Sequence, residues 1–340
     1  MSNILITGGA GFLGLNIALE FLSKGDNVVI VDDLKNSYVT HIDNLIKHFP
    51  NQVSFYKGDV CDRSFLDKVF KAHSFDTVLH LAAYKNVGES KLKPSMYYLN
   101  NVSSLRNVLK CIDKYGTKLF AFPSTAVVYG NTNVIPTSES EKLEPLSPYA
   151  ETKVEGENII ANWHKESNVP TVVFRFANPI GANTKYMFGD HSKKGYGNLI
   201  PYIIKNTLDG TPMTFRGDDH PTPDGTAIRD YIYISDLANV VYSVLTNKKD
   251  KSYETINVGS GKGHSVLDIV HTVESVLQKK LDYSFTKRND FESSVSILDT
   301  TYLKEKYGVD ISTSLESIIS SEISFYKFLH KESMYEDISR

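Results

Sequence analysis

The amino-acid sequence predicts an α/β fold: a doubly wound parallel sheet followed by a smaller mixed α/β lobe. Three observations carry this expectation. Short β-branched runs recur with helical patterns between them, a glycine turn joins the first run to the first helix, and the alternation breaks after Phe176. The runs cover residues 4–7, 28–32, 53–57, 77–81, 119–124 and 172–176. Short apolar runs of this length, separated by amphipathic helices, are what strands covered on both faces require. Between the fourth and fifth runs, Met96, Leu99, Val102, Leu105, Val108, Leu109 and Ile112 keep three- and four-residue spacing after Pro94, so an amphipathic helix opens at the proline and ends at Gly116. Beyond Phe176 a Gly-, Asn- and Lys-rich stretch (181–198) and a turn-rich stretch (217–225) mark a second lobe. Strand and helix character returns over 230–258, and Leu315, Ile318, Ile319, Ile323 and Tyr326 outline a final packing helix. The expected division is a dinucleotide-binding domain over 1–177, rejoined by 229–262, and a lobe made of 178–228 and 263–340.

Composition narrows the function. The 340 residues are 41% hydrophobic and 23% charged, enough apolar material for a sizeable core. With 37 basic against 40 acidic residues, no global field recruits nucleic acid or an anionic membrane. Cys61 and Cys111 form no cluster with each other or with histidine, so neither a disulfide framework nor a metal site is expected. The N-terminal run is broken by glycines and lacks a basic leader, and no apolar run reaches the roughly 18 residues of a membrane span; a cytoplasmic protein is the expectation.

The glycine turn reads Thr7-Gly8-Gly9-Ala10-Gly11-Phe12-Leu13-Gly14, with Leu15, Ala18, Leu19 and Leu22 following at helical spacing. Gly9 and Gly11 allow a tight turn and close approach of backbone to a pyrophosphate, while Gly14 allows close packing of helix on strand. The helix N-terminus adds N–H donors and partial positive charge. Asp32, 18 positions beyond Gly14 at the end of the second run, is placed to accept from the adenosine ribose hydroxyls and to repel a 2′-phosphate, which selects NAD over NADP. The expected fold is therefore of Rossmann type. Asp59 and Val60, after the third run, are placed to meet the adenine, though an Asp after a strand is as often a turn residue.

A second signal is Ser147-Pro148-Tyr149-Ala150-Glu151-Thr152-Lys153, in which proline opens a helix and sets Tyr149 and Lys153 one turn apart on one face. A free Tyr titrates near ~10, and a neighbouring ammonium with a positive nicotinamide ring lowers that value. Taken alone, such a pair is usually a solvated helix face. Upstream, Pro123-Ser124-Thr125-Ala126-Val127-Val128-Tyr129-Gly130 brings hydroxyls to the carboxyl edge of the sheet, where ligands of such folds bind.

These residues resemble the extended short-chain dehydrogenase/reductase superfamily, and within it the UDP-glucose (UDP-galactose) 4-epimerases. The likeness spans nearly the whole chain, with further matching segments at His80–Ser90, Arg175–Ala182, Asn198–Ile203 and Asp224–Tyr231. It implies that Gly8, Gly11, Phe12, Leu13, Ala82, Lys85 and Asn100 join Asp32, Asp59 and Val60 in holding NAD, with Tyr149 and Lys153 also against the cofactor. Thr125, Tyr149 and Lys153 become the proton-handling group. Lys85, Ser124, Thr125, Asn178, Asn198, Leu199, Arg229, Arg288 and Ser296 face the nucleotide sugar, with Arg229 and Arg288 on its diphosphate, where guanidinium forks suit phosphate oxygens. The implied reaction is 4-epimerisation of a UDP-hexose through a transient 4-keto sugar, by a homodimer paired through the helices that contain residues 99–112 and 154–163.

This sequence departs from the epimerase pattern in places. Pro123 stands where relatives carry a hydroxyl, Ala177 where galactose epimerases have Phe, and the run from Lys287 to Glu292 differs from the usual one, which leaves Arg288 and Glu292 open as clamp residues. Ser296 stands where strict glucose/galactose enzymes have Tyr, so UDP-GlcNAc and UDP-GalNAc enter as candidate substrates. A 4,6-dehydratase needs an acid and a base after the catalytic Thr, whereas Ala126 and Val127 follow Thr125 here. A non-catalytic NAD-binding protein is the other alternative; joint presence of Thr125, Tyr149 and Lys153 weighs against it.

Overall fold

The computed structural model describes residues 1–195, 197–288 and 293–331. In chain order the first part runs β1 (Asn3–Thr7), α1 (Phe12–Ser23), β2 (Asn27–Asp32), α2 (Val39–His48), β3 (Val53–Lys57), α3 (Arg63–Ala72), β4 (Thr77–His80), α4 (Val87–Leu92), α5 (Pro94–Tyr115), β5 (Leu119–Thr125), α6 (Pro148–Ser167) and β6 (Thr171–Phe176). The second part runs β7 (Asn178–Ile180), α7 (Leu199–Asp209), β8 (Met213–Arg216), β9 (Ile228–Tyr233), α8 (Ile234–Asn247), β10 (Tyr253–Val258), β11 (Gly263–Ser265), α9 (Val266–Leu277), β12 (Tyr283–Thr286), β13 (Val295–Ser296), α10 (Thr301–Tyr307) and α11 (Leu315–Lys331).

Seven strands form a wholly parallel sheet in the order β10-β6-β5-β4-β1-β2-β3. Each inner strand buries side chains on both faces, hence the unbroken apolar runs. One face packs a core that includes Leu15, Leu19 and Leu22 of α1 and Val240 and Val241 of α8; the other packs Leu66 of α3, Leu105 and Val108 of α5 and Ile160 of α6. Chain order reverses between β1 and β4, and ligands of open α/β sheets sit in the crevice at such a switch point, beyond the carboxyl ends of the strands.

Helix boundaries follow local chemistry. Asp62 caps α3 by accepting from the N–H groups of Ser64 and Phe65, Ser147 caps α6 by accepting from Ala150, and Gly116 at φ 81° ends α5. The apolar stripe read into α5 buries Leu105, Val108, Leu109 and Ile112, but its first members lie outside the core, with Leu99 70% exposed.

The return of 229–262 to the large sheet is divided. Strand β10 pairs with β6 and α8 packs on α1, whereas β9 lies in a second sheet with β7, β11 and β13. The cause is that β9 separates two cores, with Ile232 in the first part's core and Tyr231 in the third, which gathers Ile203 and Ile204 of α7, Val270 and Val273 of α9 and Ile319, Ile323 and Tyr326 of α11. Helix α10 also comes back against β10. No helix among the described residues is long and apolar enough to cross a membrane.

Candidate active site

The glycine turn lies at the switch point, and its glycines divide the work differently from the sequence expectation. Gly8 takes the positive φ, 70°, and a Cβ there would lie 2.7 Å from the Ala82 nitrogen. A Cβ on Gly9 would meet the Ile30 side chain at 2.7 Å, so Gly9 serves packing. A Cβ on Gly14 would stand 2.5 Å from the Gly8 oxygen, which fixes the first turn of α1 on the loop. Gly11 alone of these has room for a Cβ, which would make only ordinary contacts with the Gly8 oxygen at 3.4 Å and the Ser37 hydroxyl at 4.0 Å, and no side chain caps α1. Phe12 and Leu13 follow as its first residues, and this arrangement suits a pyrophosphate.

Asp32 ends β2 beside that loop, its carboxylate accepting from the N–H of Ala10 at 3.1 Å and of Leu34 at 2.9 Å. Burial raises its pKa, partly opposed by those two bonds. Asp59 and Asp33 share Lys35, each at 2.8 Å; burial pushes Asp59 upward, but the Lys35 bond and the Cys61 N–H prevail and lower it. Val60 is buried, Lys85 exposed, and Asn100 donates to Asn101 at 3.0 Å.

Thr125 at the carboxyl end of β5 and Tyr149 at the start of α6 face each other, and the Thr125 hydroxyl draws the phenol's pKa down. Lys153 shares the helix face but turns inward: 4% exposed, it donates to the Pro123 carbonyl at 2.7 Å and lies 4.6 Å from the Phe122 ring centre. Burial drives its pKa down to about 7, with Glu157 opposing. The Tyr149 phenol is pushed up to about 12 by burial, against the Thr125 bond. The protein by itself therefore does not give the lowered phenol expected from the Tyr149 and Lys153 spacing, because desolvation outweighs an ammonium already committed to a carbonyl.

Ser124 does not join this group. Adjacent strand residues point to opposite faces, so with Thr125 toward the crevice Ser124 points into the core and donates to Glu157. Glu157, one turn beyond Lys153, also holds Arg175 at 2.6 and 3.1 Å, and Arg175 donates to Tyr129, which donates to Asn257. Sequence reading missed this network, although Tyr149, Lys153 and Glu157 recur at four-residue steps, a visible signal of one face.

Across the crevice, three strands of the second sheet present Asn178, Arg229 and Ser296, the last two as register partners. Asn178 is exposed and donates to the Asp230 carbonyl at 3.1 Å, and one Arg229 nitrogen donates to the Ile228 carbonyl at 2.9 Å. Asn198 precedes α7 and donates to Asp190, while Leu199 opens α7 against the third core. Arg288 follows β12 in a separate two-stranded sheet and pairs with Asp219 at 3.4 Å. Ala177 is buried, and a Cβ on Gly259 would touch it at 3.0 Å. Glu292 lies outside the described residues. No group of three or more His, Cys, Asp or Glu among the described residues forms a metal site.

Residues 4–259 match the NAD dependent epimerase/dehydratase family. The chain belongs to this family. Among relatives, it is 34% identical over 321 residues to the UDP-glucose 4-epimerase of Erwinia amylovora, covering 93% of this chain and 95% of that one. Among solved structures, the UDP-glucose 4-epimerase of Bifidobacterium longum in complex with NAD+ and UDP superposes with a TM-score of 0.93 at 30% identity, over 96% of this chain and 98% of that one. The UDP-Glc/GlcNAc 4-epimerase of Campylobacter jejuni is similar at a TM-score of 0.83 and 26% identity, over 96% of this chain and all of the other. In this member of the epimerase/dehydratase family, the glycine turn follows β1 and Thr125 ends β5, both at the carboxyl edge of the large sheet.

Proposed function

We propose that the chain is an NAD-dependent isomerase that epimerises a UDP-hexose at C4. The observation that carries the reading is the Thr125 and Tyr149 hydroxyl pair at the carboxyl edge of β5, on the same sheet edge as the open side of Gly11. The unfilled approach to Gly11, the uncapped start of α1 and the Asp32 carboxylate fit a dinucleotide without a 2′-phosphate. Gly8, Phe12, Leu13 and Ala82 line the turn, Asp59, Val60, Lys85 and Asn100 complete the holding set, and the bound dinucleotide supplies a reversible two-electron acceptor at C4.

Tyr149 takes the proton of the 4-hydroxyl and returns it to the opposite epimer, with Thr125 bridging sugar oxygen and phenol. Lys153, held on the Pro123 carbonyl, supplies the ammonium that favours the phenolate once a second positive charge adjoins it. Asn178, Asn198, Leu199, Arg229 and Arg288 bind the UDP portion. Ser296, paired in register with Arg229 and smaller than the Tyr of strict glucose/galactose enzymes, admits an N-acetyl group, so UDP-GlcNAc and UDP-GalNAc are turned over besides UDP-Glc and UDP-Gal; the likeness to the Campylobacter jejuni enzyme supports this. Two copies pair through α5 and α6, where Leu99 at 70% and Tyr98 at 40% exposure stand apolar on the surface.

Purified protein incubated with each of the four UDP-sugars, no NAD added, and resolved by anion exchange should yield the 4-epimer in each case. No epimer from any sugar refutes the activity; epimers from glucose and galactose alone refute the role of Ser296.

A further inference from the structure

In the sheet, β2 and β4 flank β1, so the loops that follow them form the two walls of the groove above the glycine turn. One segment of the second lobe, Asp190 to Gly195, touches both walls. On the β2 side, the Lys193 and Lys194 backbone N–H groups donate to the carbonyl and side-chain oxygens of Asn36 at 3.1 and 3.2 Å. The Lys193 ammonium donates to the Leu34 carbonyl at 3.3 Å and stands 5.4 Å from the Tyr38 ring centre. His191 stacks on Tyr38 at 4.5 Å and lies 5.5 Å from His41. On the β4 side, the Lys194 ammonium approaches Glu89 of α4 at 3.7 Å and the Tyr84 ring centre at 5.0 Å. The root of the segment is fixed, because the Asp190 carbonyl accepts from Tyr326 of α11 at 2.6 Å and its carboxylate accepts from Asn198.

We infer that Asp190 to Gly195 is a strap that spans the dinucleotide groove and retains the cofactor, with Lys193 and Lys194 as its fasteners on opposite walls. The inference rests on the reading that this groove takes NAD. A cofactor that serves first as acceptor and then as donor must not leave between the two halves of one turnover, since its loss strands an oxidised sugar. A bridge from wall to wall supplies that retention without contributing to the reacting atoms. The two ammonium contacts are weak and exposed, while the backbone bonds to Asn36 and the buried His191 stack keep the segment on the β2 side, so release of the lysines frees the β4 side and loosens the other without unfolding anything. Lys193 and Lys194 are exposed, so their truncation removes the two ammonium fastenings, the whole of the hold on the β4 side, and spares the cores.

The test uses NAD-loaded protein and follows exchange of bound NAD for a labelled NAD, for wild type, Lys193→Ala, Lys194→Ala and the double variant, alongside thermal unfolding of each nucleotide-free protein. Differences among variants of one site fall mainly in the dissociation rate. The expected result is exchange faster by about ten-fold in the double variant and by less in each single one, with unchanged unfolding temperatures. Exchange at the wild-type rate overturns the strap. So does faster exchange accompanied by a matching fall in unfolding temperature, which marks general loosening. Wild type that takes up no NAD refutes the cofactor reading instead.

Discussion

Tyr149 and Lys153 arrive at the site as an unready pair. The phenol is held up to about 12 and the amine down to about 7 by the same burial, so the empty protein offers little phenolate and only part of its ammonium at neutral pH. Replacement Tyr149→Phe should lower kcat by about a hundred- to ten-thousand-fold while leaving NAD uptake unchanged, measured by the nucleotide released on denaturation; an active Phe variant removes the base. The lysine also leaves a stability signature. Its folded pKa lies below its unfolded value, so between about 7 and about 10.5 the unfolded chain binds more protons, and stability of the nucleotide-free protein rises with pH across that window. Lys153→Met should flatten that rise in thermal unfolding. What was legible here was the four-residue spacing of the pair; the destination of each side chain was not. The resemblance implied that Ser124 faces substrate together with Thr125, whereas a strand sends neighbours to opposite faces and Ser124 donates to Glu157.

The β1 and α1 unit separates two jobs that a glycine-rich string does not distinguish. Gly14→Ala places a methyl 2.5 Å from the Gly8 oxygen and should destabilise by about 1–3 kcal/mol in denaturant unfolding. Gly11→Ala meets only ordinary contacts on the protein side and should unfold normally but fail to retain NAD. The turn and its helix were readable from spacing; which glycine takes the positive φ depends on Ala82, which lies far away in sequence. Helix α11 carries a comparable detail. Glu322 is fully buried, accepts from the Gly181 N–H at 2.8 Å, and is pushed up to about 8 by desolvation, that bond opposing. The folded state thus holds a proton that the unfolded chain releases near its ordinary value, and stability falls as pH rises from about 4.5 to about 8. Glu322→Gln should remove that fall, so that its unfolding temperature exceeds that of wild type at pH 8 but not at acid pH; a parallel loss in both proteins would exclude Glu322 as the source.

For the whole molecule, alternating runs and helices made the large sheet legible because every inner strand is buried on both faces and is mostly apolar. The second lobe was less so. Its strands are short, β9 divides its side chains between two cores, and α10 returns to the large sheet with no signal in its own seven residues. The surface of α5 and α6 bears on assembly: Leu99→Glu should convert a dimer to monomers in sedimentation velocity without altering the fold by circular dichroism, since Leu99 touches no core. The chain leaves the large sheet after β6, comes back for α8 and β10, departs through β11 and returns once more at α10 before ending on α11. No single cleavage point therefore divides the polypeptide into a free-standing front half and back half. Any attempt to excise the nucleotide-binding part as a contiguous fragment strips a border strand and its covering helix, and the remainder inherits pieces with nothing to lean on.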